Sequence, residues 1–191
     1  MIKEIKTKYQ HYFVDEHNII QGEYKSFHHN GKLMEHSSFI NGKRHGEYKD
    51  YHFNNGQLRI HAFFKNGKRH GEFQSYYVTG KMRDHVIYND DKPNGEYYAY
   101  HHNGTTFIHA FYLNGNLHGE YKRYHDNGRL SIRTSHQKGG CHGEYKTYHE
   151  DGSIECVTFY YQGKDLKVDP DTLTEKDKTY ILLSGRLPPR D

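Results

Sequence analysis

Histidine is the residue most able to do chemistry in this chain, with 18 copies in 191 residues. The copies fall into rows. His28, His52, His101, His125 and His149 each stand six residues after a glycine, and His45, His70, His118 and His142 immediately precede one. A third row, His36, His61, His85 and His109, continues with Arg133. If the rows run along a sheet, equivalent members lie two strands apart, about 9–10 Å. Zinc holds its ligating nitrogens at about 2.0–2.1 Å, so a single row does not converge on one ion. Arginine at one position of the third row fits a cationic partner for a carboxylate better than a metal ligand.

Other chemical signatures are missing from the sequence. There is no Gly-x-Ser-x-Gly, no phosphate-cradling glycine loop and no His-Glu-x-x-His. Neither Cys141 nor Cys156 has a histidine beside it outside the repeated pattern. The three places where the pattern breaks, Asp90-Asp91-Lys92-Pro93, Lys138-Gly139-Gly140-Cys141 and the C-terminal tail, assemble no acid, base and nucleophile. The expectation is a protein that is not an enzyme, with no catalytic residues, no metal site and no cofactor.

What must position these rows is a repeat. A Gly-Glu-aromatic opening recurs at Gly22, Gly46, Gly71, Gly95, Gly119 and Gly143, with separations of 24, 25, 24, 24 and 24 residues. A fixed period in this range marks a repeat array. Each unit reads as a strand, an Asn-Gly turn, a second strand and another Asn-Gly turn. Asn-Gly between β-rich runs signals a hairpin, because a type I′ turn needs positive φ at both central residues. First turns are Asn30-Gly31, Asn55-Gly56, Asn103-Gly104 and Asn127-Gly128, with Thr79-Gly80 and Asp151-Gly152 as variants. Second turns are Asn41-Gly42, Asn66-Gly67 and Asn114-Gly115, with Asp90-Asp91, Lys138-Gly139 and Gln162-Gly163 as weaker versions. The extra residue of the second unit falls just before its first turn, which predicts a longer loop or bulge there.

Two-residue turns throughout would fix the register. With the opening glycine at offset zero, offset 2 faces offset 15, and offset 13 faces offset 2 of the next unit. One side then carries Tyr24, Tyr48, Phe73, Tyr97, Tyr121 and Tyr145 with Phe39, Phe64, Tyr88, Tyr112 and Tyr160, and also Leu33, Leu58, Met82 and Leu130. The other side carries the Glu at offset 1, Lys or Gln at offset 3, and the rings Phe27, Tyr51, Tyr76, Tyr100, Tyr124 and Tyr148. On that side the register sets His36 against Glu47, His61 against Glu72, and so on to Arg133 against Glu144.

Composition agrees with a thin β-structure. Hydrophobic residues make up 33%, too few for a thick core, while 19 Tyr and 10 Phe argue against disorder. A net charge of +3 is mild, so nucleic acid is not an expected partner despite rings flanked by lysines. The two cysteines occupy non-equivalent positions and read as free thiols, and the start of the sequence lacks the apolar core of a signal peptide. An intracellular, cytoplasmic protein is expected. Residues 1–21 read as a lead-in with a degenerate half-repeat, 22–165 as six hairpin repeats, and 166–191 as a turn and a capping helix. In the last segment Asp169-Pro170-Asp171 reads as the turn and Thr172 to Glu175 has capping-box spacing. Gly185 and Pro188-Pro189 are the stop signals. The architecture expected is all-β, an elongated, twisted antiparallel meander.

The stretch Asn66-Gly67-Lys68-Arg69-His70-Gly71-Glu72, with its counterparts from Asn41 and Asn114, resembles the MORN repeat, and more closely the MORN-variant proteins often labelled as antitoxin components. The hairpin is longer than in the plain MORN pattern, and the Trp often found at the aromatic position is missing. The resemblance implies a serial hairpin array used for binding or scaffolding, with lipid contact and toxin neutralisation as further implications. The partner expected is a protein contacting the ring row Phe27, Tyr51, Tyr76, Tyr100, Tyr124 and Tyr148. Anionic lipid at the basic turns Lys43, Arg44, Lys68 and Arg69 is the alternative, and self-association is a third way to cover a long apolar face.

Overall fold

The computed structural model describes residues 1–168 and 172–185. The expected Asp169-Pro170-Asp171 turn and Pro188-Pro189 lie outside the described residues. Among the described residues fifteen strands and one helix follow one another. The first unit, Met1–Asn94, holds β1 (Lys3–Lys6), β2 (Gln10–Val14), β3 (Ile20–Phe27), β4 (Leu33–Ile40), β5 (Lys43–Tyr51), β6 (Leu58–Lys65), β7 (Lys68–Tyr76) and β8 (Met82–Asn89). The second, Gly95–Asp191, holds most of β9 (Lys92–Tyr100), then β10 (Thr106–Leu113), β11 (Asn116–Tyr124), β12 (Leu130–Gln137), β13 (Gly140–Tyr148), β14 (Ile154–Tyr161), β15 (Lys164–Asp165) and α1 (Glu175–Ser184). Within each unit consecutive strands pair antiparallel, so the all-β meander of hairpins is as the sequence predicts.

The second turns form as expected. Asn41 and Gly42 have φ of 50° and 71°, both positive, and Asp90-Asp91 adopts the same geometry at 49° and 67° without any glycine. The first turns differ. At Asn30-Gly31 only the glycine has positive φ, the Gly31 N–H donates to His28 O, and the His28 N–H donates to Lys32 O. This is a three-residue loop ending on a left-handed glycine, a common alternative to the two-residue hairpin. In the second repeat the Gly56 N–H reaches back to His52 O, one residue further, so the extra residue lengthens this loop as predicted.

Within a hairpin the expected register holds away from the first turn: Tyr24 pairs with Ser37, and Tyr48 with Ala62. Between hairpins it is corrected. Ser37, not Glu35, faces Tyr48. The ladder runs Ile40–Lys43 and Phe39–Arg44, then jumps to Ser37–Tyr48, so His45, Gly46 and Glu47 together oppose Ser38. Gly46 makes this bulge possible with φ of +83°, a conformation that residues with a Cβ rarely adopt. The slip is two residues, so side-chain alternation survives it.

A second bulge moves a row across the sheet. Asp50 pairs with Ile60 and Tyr51 with Leu58, leaving Arg59 as the additional residue. Leu58 therefore joins Tyr51, and Arg59 turns to Asp50 on the opposite side. Leu33, Met82 and Leu130 repeat this against Phe27, Tyr76 and Tyr124. The leucine row thus lies with the Glu residues, a correction to the two-residue-turn register.

The other side, the ring side, is held by cross-strand aromatic pairs. Tyr24 meets Phe39 at 5.5 Å between centroids, Tyr48 meets Phe64 at 5.4 Å and Phe73 meets Tyr88 at 5.7 Å in the first unit. Tyr97 meets Tyr112 at 5.8 Å and Tyr145 meets Tyr160 at 5.6 Å in the second. Each such pair contributes about 0.5–1.5 kcal/mol beyond area burial. Between the rings sit small residues that close the core: Ser37, Ala62, Val86 and Ala110 are all buried.

Helix α1 is capped by Thr174, whose Oγ1 accepts from the Asp177 N–H at 3.2 Å while its own N–H donates to Asp177 Oδ2 at 2.9 Å. The reciprocal box is thus two residues later than Thr172–Glu175, because Asp177 is the acid that reaches back to the cap. Gly185 closes the helix in a left-handed conformation, against the Tyr161 ring where a Cβ would collide. Ile181 is fully buried, and α1 lies on the Glu side of β13. No helix among the described residues is long and apolar enough to cross a membrane.

Candidate functional site

The Glu side presents a repeated constellation. Glu23 accepts from Lys25 at 2.7 Å and meets His36 at 2.8 Å; Glu47 does the same with Lys49 at 2.8 Å and His61 at 2.9 Å. His85 stands 3.7 Å from Glu72, His109 3.7 Å from Glu96, and Arg133 2.8 Å from Glu120. Each cation therefore pairs with the Glu that opens its own repeat, not the next one. The two-residue slip at each opening glycine carries the following Glu out of reach, which corrects the expected assignment by one whole repeat. A lysine hydrogen bond is the largest influence holding the Glu23, Glu47 and Glu120 carboxyls below their usual range; desolvation opposes it, and the His or Arg hydrogen bond adds to the lowering.

In the last repeat Val157 stands where the histidines stand elsewhere. Lys178 of α1 replaces the missing cation, 3.3 Å from Glu144 Oε1, and Lys146 donates to the same carboxylate at 2.7 Å. The pattern of the sequence shows Val157 as a gap in the row; which residue fills it only the tertiary fold decides.

The expected interaction row, Phe27, Tyr51 and Tyr76 in the first unit and Tyr100, Tyr124 and Tyr148 in the second, is half-buried throughout. Its backbone is clamped. The His28 imidazole bonds to Tyr51 O at 3.1 Å and His52 to Tyr76 O at 3.0 Å, while His101 bonds to Tyr124 O at 3.0 Å and His125 to Tyr148 O at 2.9 Å. Asparagine side chains add a parallel ladder: Asn30 Nδ2 donates to Phe53 O, Asn55 to Val78 O, Asn103 to Asp126 O and Asn127 to Glu150 O. This histidine row is structural: it ties the first repeat to the second and the second to the third, and the fourth to the fifth and the fifth to the sixth, while the third carries Tyr77 at this position. The result is a line of rings whose positions are set before anything binds.

The row before the opening glycines is less satisfied. His70 Nδ1 lies 3.2 Å from Asp90 Oδ1, but His45 Nδ1 and His142 Nδ1 are buried without a hydrogen-bond partner. Cys141 Sγ sits 3.4 Å from His136 Nε2 across the β12–β13 pair, a contact hidden in sequence because it spans a turn; burial pushes the His136 imidazole down. Among the described residues no cluster of three or more His, Cys, Asp or Glu is arranged to hold a metal ion.

The basic turns divide into two kinds. Lys43 and Lys68 are exposed. Arg44 is held twice over by Glu35, with Nη2 at 2.9 Å from Oε1 and 3.1 Å from Oε2, and lies over the Phe39 and Tyr48 rings. Arg69 bonds Asp91 at 2.9 Å and covers Tyr88 at 4.0 Å.

No curated protein matches the chain. Residues 20–41, 117–138 and 142–162 match the family model described as the MORN repeat variant. The three segments correspond to the hairpins β3–β4, β11–β12 and β13–β14. In these hairpins the chain is similar to MORN repeats, which are generally non-catalytic modules that take part in binding.

Proposed function

We propose that this chain is a non-catalytic scaffold that docks a protein partner along the ring row of its Glu side. The observation that supports the reading is the clamped, half-buried row itself. Tyr51 and Tyr76, and Tyr124 and Tyr148, offer rigid rings. The charges beside them are already neutralised by Glu–Lys–His and Glu–Lys–Arg groups. Aromatic rings with a satisfied polar surround are the composition of an interface centre, and truncating such a ring typically costs binding about 2 kcal/mol or more. Affinity capture from the native host with the Tyr51→Ser/Tyr76→Ser and Tyr124→Ser/Tyr148→Ser variants tests this. The expected outcome is loss of a protein that the unaltered chain retains, with the melting transition preserved; an unchanged partner set overturns it.

One observation favours a second reading, contact with anionic lipid. Lys43, Lys65 and Lys68 line one hollow of about 330 Å³ together with Asn66, His70 and Asp90. Arg44 and Arg69 are engaged by Glu35 and Asp91, so the lysines carry this reading. Flotation with phosphatidylserine vesicles that is abolished in Lys43→Glu/Lys68→Glu is its expected signature.

A further inference from the structure

The four residues on which α1 rests recur once more in the chain, among the described residues without a helix on them. At the C-terminal end α1 rests where four features meet: Ser135, Gly143, Glu144 and Phe159. Leu182 Cδ2 stands 3.5 Å from where a Cβ on Gly143 would be, and Lys178 Nζ reaches Glu144 at 3.3 Å. Phe159, paired across the strands with Glu144, is 1% exposed. A shallow groove of about 510 Å³ runs alongside, with Ser135, Leu182 and Lys178 in its walls.

Phe159 belongs to a row that reads Ser38, Phe63, Ile87, Phe111, Ser135, Phe159 from the first repeat to the last. Serine occurs in it twice, and each time a large ring follows in the next repeat. Phe63 leans to 3.3 Å from a Cβ position on Gly71 of the next strand, whereas Gly46, Gly95 and Gly119, after Ser38, Ile87 and Phe111, have nothing within 4 Å of theirs. Four repeats before the α1 seat, Ser38, Gly46, Glu47 and Phe63 repeat its four residues, with His61, which meets Glu47 at 2.9 Å and packs on Phe63 at 5.2 Å, in the place of Val157. There the space is free: nothing lies within 4 Å of a Cβ position on Gly46, Ser38 is exposed, and Phe63 is only half-buried. The contacts of Glu47 with Lys49 and His61 both fall on Oε1, which leaves Oε2 for a cation brought from outside.

We infer that the Ser38–Gly46–Glu47–Phe63 seat docks an amphipathic helix of a partner protein, one carrying a basic residue a turn before two adjacent aliphatic residues. That spacing is the one α1 itself carries: Lys178, Ile181 and Leu182 lie at i, i+3 and i+4 and so share one face. The inference rests on the proposed use of the Glu side for a protein partner and specifies what the partner presents.

The probe is a synthetic, helix-stapled peptide with the sequence of residues 172–185, carrying a photo-crosslinking group at the Tyr180 position, added to the full chain. Saturable binding with crosslinks in the 38–63 segment is expected, weakened by about ten-fold or more in both Ser38→Phe and Glu47→Lys. Phenylalanine is acceptable at this row position, since repeats two, four and six already carry it, and a thermal melt of each variant checks that the fold is kept. Crosslinks confined to residues 135–159, affinity unchanged in Ser38→Phe, or no saturable binding would each overturn the inference. So would a dimer of the unaltered chain that dissolves in Ser38→Phe, because the occupant is then the α1 of a second copy. If the peptide fails while the tyrosine variants still lose their captured protein, the seat falls and the ring-row reading stands; the opposite pair of results separates them the other way.

Discussion

The two units fill the middle of their ring side with different chemistry. In the first, the buried positions are Ser26, Glu35, Asp50 and Ser75, with Glu35 held by Arg44, Asp50 by Arg59 and Tyr48, and Asp84 by Ser75 and Arg83. In the second, the equivalent row is Ala99, Ile108, Arg123, Ile132, Thr147 and Cys156, with no carboxylate and with Arg123 donating to Ser131, whereas Ile60 is the one aliphatic member in the first. Turns, bulges and the imidazole ladder are the same in both. The fold is therefore specified by the backbone devices, and the middle row is free to be ionic or aliphatic. A buried ion pair loses in desolvation roughly what it gains by attraction, which is why the exchange is tolerated. It does leave a mark: burial first, then the Asp50 and Glu35 carboxylates, push the Tyr48 phenol up to about 12.

The sharpest way to break the comparison is to split one pair. Arg59→Leu strands the Asp50 carboxylate, which is 6% exposed, and a loss of about 3 kcal/mol is expected in urea denaturation. Adding Asp50→Leu should restore stability to within about 1 kcal/mol of the starting chain, making the first unit resemble the second. A double variant as unstable as the single one would show that the ionic filling is required. The next effect is smaller and should not differ between units. His52→Ala and His125→Ala each remove one imidazole bond to the following repeat, costing about 1 kcal/mol apiece. Unequal losses would mean that the stitching, and not only the filling, distinguishes the halves.

The smallest effect is acid sensitivity, and it too should be shared. Glu23 and Glu47 in the first unit, and Glu120 and Glu144 in the second, have carboxyl pKa values held below the usual 4.5 chiefly by lysine. A depressed folded pKa gives stability that is complete at neutral pH and is lost as pH falls through the lowered value. Denaturation midpoints measured from pH 6 to pH 3 should therefore decline, and the decline should flatten in a Glu23→Gln/Glu47→Gln/Glu120→Gln/Glu144→Gln variant. The effect is modest because these side chains are largely solvated.

How much of this was legible in the sequence depends on the range of the interaction. The second turns were readable because Asn-Gly states its own dihedral angles, and the pairs next to them, Ile40–Lys43 and Phe39–Arg44, followed. The rest of the pairing between hairpins was not, since a left-handed glycine such as Gly46 serves equally in a turn or a bulge, and only the neighbouring strand decides. That ambiguity moved every His–Glu pair by one repeat, while the first loops, with the bulge at Arg59, sent Leu58 across the sheet. The ring row was visible as a row; its clamping by His28 and His52 was not, because the acceptors are backbone carbonyls some 23 or 24 residues away. The seat of α1 was hidden for a similar reason: its marks are a serine for a phenylalanine and a valine for a histidine, which read as noise until Leu182 and Lys178 are seen against them.

The extra residue of the second repeat has a consequence for how such a chain varies in length. It is absorbed wholly in the loop between His52 and Gln57. At the opposite end of each hairpin the turn backbone itself is bonded to the preceding repeat, the Gly42 N–H to Ile20 O, Gly67 to Arg44 O, Gly139 to Leu117 O and Gly163 to Cys141 O, whereas the loops are tied to their neighbours by side chains, as Asn30 to Phe53 O and Asn55 to Val78 O. Insertions, affinity tags or grafted loops therefore belong between Phe53 and Asn55 and at the matching loops of other repeats. The same addition at Asn66-Gly67 would unhook two neighbouring hairpins at once. Each hairpin has one negotiable end and one that is not.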